Sequence, residues 1–209
     1  MNVPIYLRRS YAGLFFVVVL LMATTSAMAS HGGPEEITLL GYNEQERRVY
    51  WVTYFRGESG KLPQLSYIDF SADQPSEPVL DTSWREGINP DDRSARSAIF
   101  NRIHLLKSQL LPLNTDKPDS LVLTVRIIEK GDYKVVDDLP LVARFEMAAN
   151  IRSGDLVGAT RVTAYINRRI GVKEWGAIPN EKFGIATISF TGIPYESGYL
   201  KDSVALLKP

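Results

Sequence analysis

Cysteine is missing from this 209-residue chain. Its absence excludes disulfides, thiol nucleophiles, iron–sulfur clusters and thiolate zinc sites, so stability has to come from packing. Histidine is almost missing: His31 and His104 are the only two. With so few imidazoles and no thiolate, a multidentate transition-metal site lacks ligands, and neither a metal nor any other cofactor is expected. A charge surplus is also missing. Lys and Arg number 24 against 24 Asp and Glu, so nothing resembles the clustered basic excess of a nucleic-acid binder. The sequence holds no Gly-x-Ser-x-Gly, His-Glu-x-x-His, P-loop, Gly-x-Gly-x-x-Gly or EF-hand pattern. It also lacks an internal repeat, which argues against a propeller or solenoid.

There is one long apolar run, Ala12 to Met22 (AGLFFVVVLLM), preceded by Arg8 and Arg9. Small residues at Ala27 and Ala29 follow it in an Ala-x-Ala arrangement. A basic start, a short apolar stretch and a small-residue cleavage site together predict a secretory signal peptide over 1–29. The run is shorter than the ~20 residues a membrane-spanning helix needs, so no stable membrane span is expected after cleavage. Residues 30–36 (SHGGPEE) read as a disordered polar lead, and 37–209 as a single β-rich domain. Such a protein belongs in the periplasm or outside the cell.

The domain opens with strand signals at Ile37–Leu40, Arg48–Phe55 and Gln64–Phe70, the last two joined by a Gly- and Pro-containing loop. A short strand or ordered loop follows at Val79–Trp84. Asn89 as N-cap, Pro90 at the first position and Asp91 and Asp92 in the first turn predict a helix to about Leu111, stopped by Pro112. Ala95, Ile99, Ile103, Leu106 and Leu110 make its apolar face. Beyond it, alternation predicts strands from Leu121 to Ile127, Leu141 to Ile151, Ala159 to Arg168, Lys182 to Thr191 and Tyr199 to Leu207. Gly131-Asp132 reads as a turn, and Ile170 to Asn180 as a loop or irregular hairpin. The expected fold class is α+β and β-rich: an antiparallel sheet or sandwich with one long amphipathic helix at about 90–111.

Candidate chemistry is sparse. His104 falls on the polar face of the helix, and His31 lies in the lead. The acid pairs Asp91/Asp92, Asp116/Asp119 and Asp137/Asp138 fit ordinary turn and helix-start roles. A glycosidase would need two of them facing each other at ~5 or ~6.5–9.5 Å. No catalytic residue is assigned. Arg93, Arg96 and Arg102 on the helix read first as surface charge, with contact to an anionic glycan or phosphate as the more specific alternative. The dense feature is aromatic. Tyr50, Trp51, Tyr54, Phe55, Tyr67 and Phe70 crowd one hairpin, and both faces of its first strand are apolar or aromatic. One face needs the core; the other needs the helix, a loop or a partner. Tyr50, Trp51, Tyr54 and Tyr67 are the candidate binding residues.

In this hairpin Leu40, Gly41, Tyr42, Tyr54, Gly57, Gly60, Ile68 and Asp69 resemble the strand–turn–strand unit opening a family of predicted secreted bacterial proteins of unknown function (the DUF2259 type). The same unit resembles a single hairpin of a TolB-type propeller blade. The resemblance implies export and supplies no catalytic residues. The expectation is a non-catalytic binding or scaffolding domain of the bacterial cell envelope, with an envelope protein or glycan as partner. A small carbohydrate-active hydrolase using paired carboxylates and a secreted inhibitor or accessory subunit are the alternatives.

Overall fold

The computed structural model describes residues 33–56, 61–90, 92–116, 121–134, 141–194 and 198–209. The expected signal peptide lies outside them, as do His31, Asp91, Asp119, Asp137 and Asp138. Among the described residues, 57% are strand and 11% helix, in two sheets with a single α-helix of 15 residues. This corrects the expected α+β fold with one long amphipathic helix over about 90–111.

The helix α1 spans Ala95–Gln109. It starts late because the preceding residues are used in turns: the Asp92 carboxylate accepts the Ser94 N–H at 2.9 Å, and the Asp92 carbonyl accepts the Ala95 N–H at 2.9 Å. Its buried stripe is only Ala95, Ile99 and Ile103, each four residues from the next. Phe100 and Leu105 are exposed, so the apolar face is narrow.

The larger sheet is built from β1 (Glu35–Asn43), β2 (Arg48–Phe55), β3 (Gln64–Asp69), β4 (Val79–Asp81), β8 (Ile170–Ala177), β9 (Gly184–Ile193) and β10 (Tyr199–Leu207). Their order is β4-β3-β2-β1-β10-β9-β8. All neighbours are antiparallel except β1 and β10, which run parallel and pair at Glu35 and Lys201. The smaller sheet is antiparallel, β5 (Val122–Tyr133), β6 (Val142–Ser153) and β7 (Leu156–Tyr165) in sequence order. Two further expectations are corrected. β5 runs straight through the anticipated turn at Gly131-Asp132, because β6 pairs with it out to Tyr133. The anticipated loop at Ile170 to Asn180 is largely the strand β8, whose bulge between Val172 and Glu174 breaks the two-residue period.

Alternation sorts the side chains into three apolar clusters. Phe145, Met147, Ile151, Val162, Ile188 and Leu207 fill the space between the small sheet and β8–β10. Val49, Trp51, Ile68, Phe70 and Ile185 pack on one face of the β1–β3 region. On the opposite face, Tyr50, Val52 and Leu65 meet Ile99 and Ile103 of α1.

The large sheet curls on itself. Leu111 exchanges backbone hydrogen bonds with Tyr42 of β1, both 2.9 Å, while Asn114 exchanges them with Ala177 of β8 at 3.1 and 2.9 Å. The segment between 111 and 114 thus ties β1 to β8, closing a ring through β10 and β9. Gly41 permits this closure. It sits in the β1 bulge at φ +147°, and a Cβ there would lie 2.6 Å from the Leu111 carbonyl oxygen.

At the same end of the ring, Glu181 joins two turns. It accepts the Tyr42 hydroxyl at 2.6 Å and the Arg47 guanidinium at 2.9 Å. Burial, then the bond to this carboxylate, raises the Tyr42 hydroxyl from 10.0 to about 12. The folded state therefore favours the neutral phenol. Its contribution to stability is complete below about pH 10 and is lost as pH rises through about 12. In alkaline unfolding scans, Tyr42→Phe should flatten the decline across that window. Parallel declines for both proteins would show that Tyr42 does not govern it.

Among the described residues, no helix is long and apolar enough to cross a membrane.

Candidate functional site

Strand geometry divides the four candidate aromatic residues between two faces. Trp51, 4% exposed, is buried with Val49 in the cluster opposite α1. Tyr50, 3% exposed, is buried under α1. Its hydroxyl donates to Glu46 at 2.5 Å, and burial, then this bond, pushes its pKa well above the usual tyrosine value. Tyr67 lies opposite Tyr50 in the ladder, ring centroids 5.5 Å apart, with the Arg48 guanidinium 4.4 Å above the Tyr67 ring centroid. These three residues make cross-strand and core contacts. The four side chains do not form one platform.

Tyr54 is placed differently. It stands near the end of β2, half-buried, where α1 covers the sheet only partly. Its ring stacks on Phe100, centroids 5.8 Å apart and planes 12° apart. Burial raises its hydroxyl pKa. Phe100 and Arg96 are four residues apart on α1, so both reach the same side of the helix. With Phe55, Arg56 and Lys61 they line a groove of about 530 Å³.

The charge of this groove is one-sided. Arg56 is paired with Glu36 at 2.8 Å. The Lys61 ammonium lies 5.2 Å from the centroid of the Phe55 ring, within cation–π range. Arg96 is exposed and has no ion pair among the described residues. Among the described residues, three cations and one neutralising carboxylate leave a positive site beside stacked rings. Sequence reasoning named Tyr54 and raised Arg96 as a possible anion contact. It missed Phe55, Arg56, Lys61 and Phe100, whose shared location depends on how α1 crosses β2. The one available signal was the Arg96–Phe100 spacing beside the apolar stripe.

A second cavity, about 510 Å³, opens between β1 and β8, with Leu39, Lys107, Leu113, Lys173, Glu174 and Trp175 among its walls. Here side chains replace a neighbouring strand along the edge of β1. The Asp202 carboxylate accepts the Ile37 N–H at 2.8 Å, and Glu174 accepts the Leu39 N–H at 2.9 Å. Lys173 donates to the Ile37 carbonyl at 3.2 Å and to Asp202 at 2.6 Å. Lys173 and Glu174, two of the polar groups of this cavity, are therefore engaged in holding β1.

The remaining candidates are dispersed. His104 is exposed on α1. Asp92 serves the turn before the helix, and the Asp116 N–H donates to the Asn114 side chain at 3.0 Å. Among the described residues, no three His, Asp or Glu side chains gather in a metal-binding group.

No family model, curated protein or solved structure matches the chain.

Proposed function

We propose that the protein is an exported, non-catalytic binding domain of the bacterial cell envelope that holds an anionic glycan in the groove beside the hairpin. The observation that carries this reading is the Tyr54–Phe100 stack flanked by Arg56, Lys61 and Arg96. Aromatic faces carry negative quadrupole charge and attract the weakly positive C–H faces of sugars. Guanidinium and ammonium groups supply the complement to carboxylate or phosphate, Arg through a planar fork. The signal-like N-terminus, with Arg8, Arg9 and the run to Met22, supports export.

Isothermal titration with polygalacturonate, an acidic glycan, is the test. Binding is expected, with neutral dextran giving none. Arg96→Ala should weaken it by about tenfold or more while leaving the unfolding midpoint unchanged, and Phe100→Ala should weaken it as much while costing about 1 kcal/mol of stability from the lost stack on Tyr54. Raising salt from ~0.1 to ~1 M should weaken it further as the Debye length falls from ~10 to ~3 Å. Equal binding of dextran, or full affinity in both variants, would remove the proposal.

A further inference from the structure

β5 is an outer strand of the small sheet and lies at its edge for twelve residues. It is unusually apolar for such a place: Val122, Val125, Ile127, Ile128 and Tyr133 are between 37% and 53% exposed. An exposed edge of this kind is a template for another strand. Its charges indicate which one.

The pairing with β6 shifts by one residue between Ile127 and Glu129, leaving Ile128 as a bulge. Before the bulge, Arg126 lies opposite Ala148; after it, Glu129 lies opposite Glu146. Ala148 and Glu146 share one face of β6, the face away from buried Met147 and Phe145. The bulge therefore brings Arg126 and Glu129 onto the same outward face, where a regular strand would separate them.

Neither charge is satisfied among the described residues. Arg126 has no ion pair among the described residues. Glu129 faces another acid, Glu146, which is already bonded to Arg144 and Thr163. We infer that β5 pairs antiparallel with β5 of a second copy of this chain, about a two-fold axis passing through the bulge. In that register Arg126 of each copy meets Glu129 of the other, twice per dimer. Val122 meets Tyr133, and Thr124 meets Gly131, each pair again on one face. Bulges commonly disrupt edge pairing; this one supplies the offset that makes the edge complementary to itself. The product is a continuous six-stranded sheet with an isologous interface.

Sedimentation equilibrium of the purified protein tests the inference. A reversible dimer is expected. Arg126→Glu and Glu129→Arg should each weaken dimerisation by about tenfold or more, because each turns two attractions into two repulsions. The double variant Arg126→Glu/Glu129→Arg should recover it, since the pairs are restored with signs exchanged. Both substitutions are at exposed positions, and circular dichroism should show an unaltered fold. A monomer at every accessible concentration, a dimer indifferent to single reversal, or a double variant that stays monomeric would each overturn it.

Discussion

Replacing Lys173 by methionine is expected to destabilise the protein by about 3 kcal/mol. The Asp202 side chain is 2% exposed and its ammonium partner 34% exposed, at 2.6 Å. Removing one member of a buried pair costs ~3–5 kcal/mol, because the surviving charge is left without compensation. The partial exposure of Lys173 places the expectation at the low end of that range. The loss should also spread: Lys173 holds the Ile37 carbonyl, and Asp202 holds the Ile37 N–H, so the edge of β1 depends on both. Adding Asp202→Asn to the methionine variant should recover part of the stability, since the amide oxygen can still accept the Ile37 N–H without a buried charge. Urea unfolding of the three proteins checks this. A loss below ~1 kcal/mol for Lys173→Met would show that the pair behaves like a surface salt bridge.

The second large effect is expected at Gly41. Its φ of +147° already disfavours a side chain, and an added Cβ would fall 2.6 Å from Leu111 oxygen and 2.8 Å from Leu110 Cβ. Backbone has to move, and the paired hydrogen bonds of Tyr42 with Leu111 go with it. Strain of ~1–3 kcal/mol and two hydrogen bonds at ~0.5–1.5 kcal/mol each give a loss of about 2–6 kcal/mol for Gly41→Ala. Gly87 is the control. Its φ is also positive, +75°, but nothing lies within 4 Å of its would-be Cβ. Gly87→Ala should therefore cost only ~1–2 kcal/mol, the conformational term alone. Equal losses at the two positions would mean that ring closure at Leu111 adds nothing to stability.

Much of the sheet could be read from alternation. Phe145 and Met147 of β6, Val162 and Ala164 of β7, and Ala186, Ile188 and Phe190 of β9 all face the core in the expected phase, with Ile185 on the other side. The misread strands have a common cause. Bulges in β1, β5 and β8 each insert one residue and reverse the phase, so a period-two reading loses β8 and shortens β1. The parallel pairing of β1 with β10 is a long-range choice that no local pattern encodes. The helix is shorter than its local signals suggest: Asn89 and Pro90 are good start signals, while Asp92 captures the Ser94 N–H and delays the first helical turn. As for the groove, the aromatic hairpin was visible, but most of it is core. Tyr54 alone among the four candidates borders the positive groove, and its neighbours come from elements nearly fifty residues apart in sequence.

Ligand binding at this groove is tested most directly by backbone amide chemical shifts during titration with polygalacturonate. Shifts are predicted to concentrate at Tyr54, Phe55, Arg56, Arg96 and Phe100, saturating together, with Trp51 and the β1–β8 cavity residues Leu39 and Glu174 unmoved. Saturable shifts confined to Leu39, Glu174 and their neighbours, or none anywhere, would contradict it.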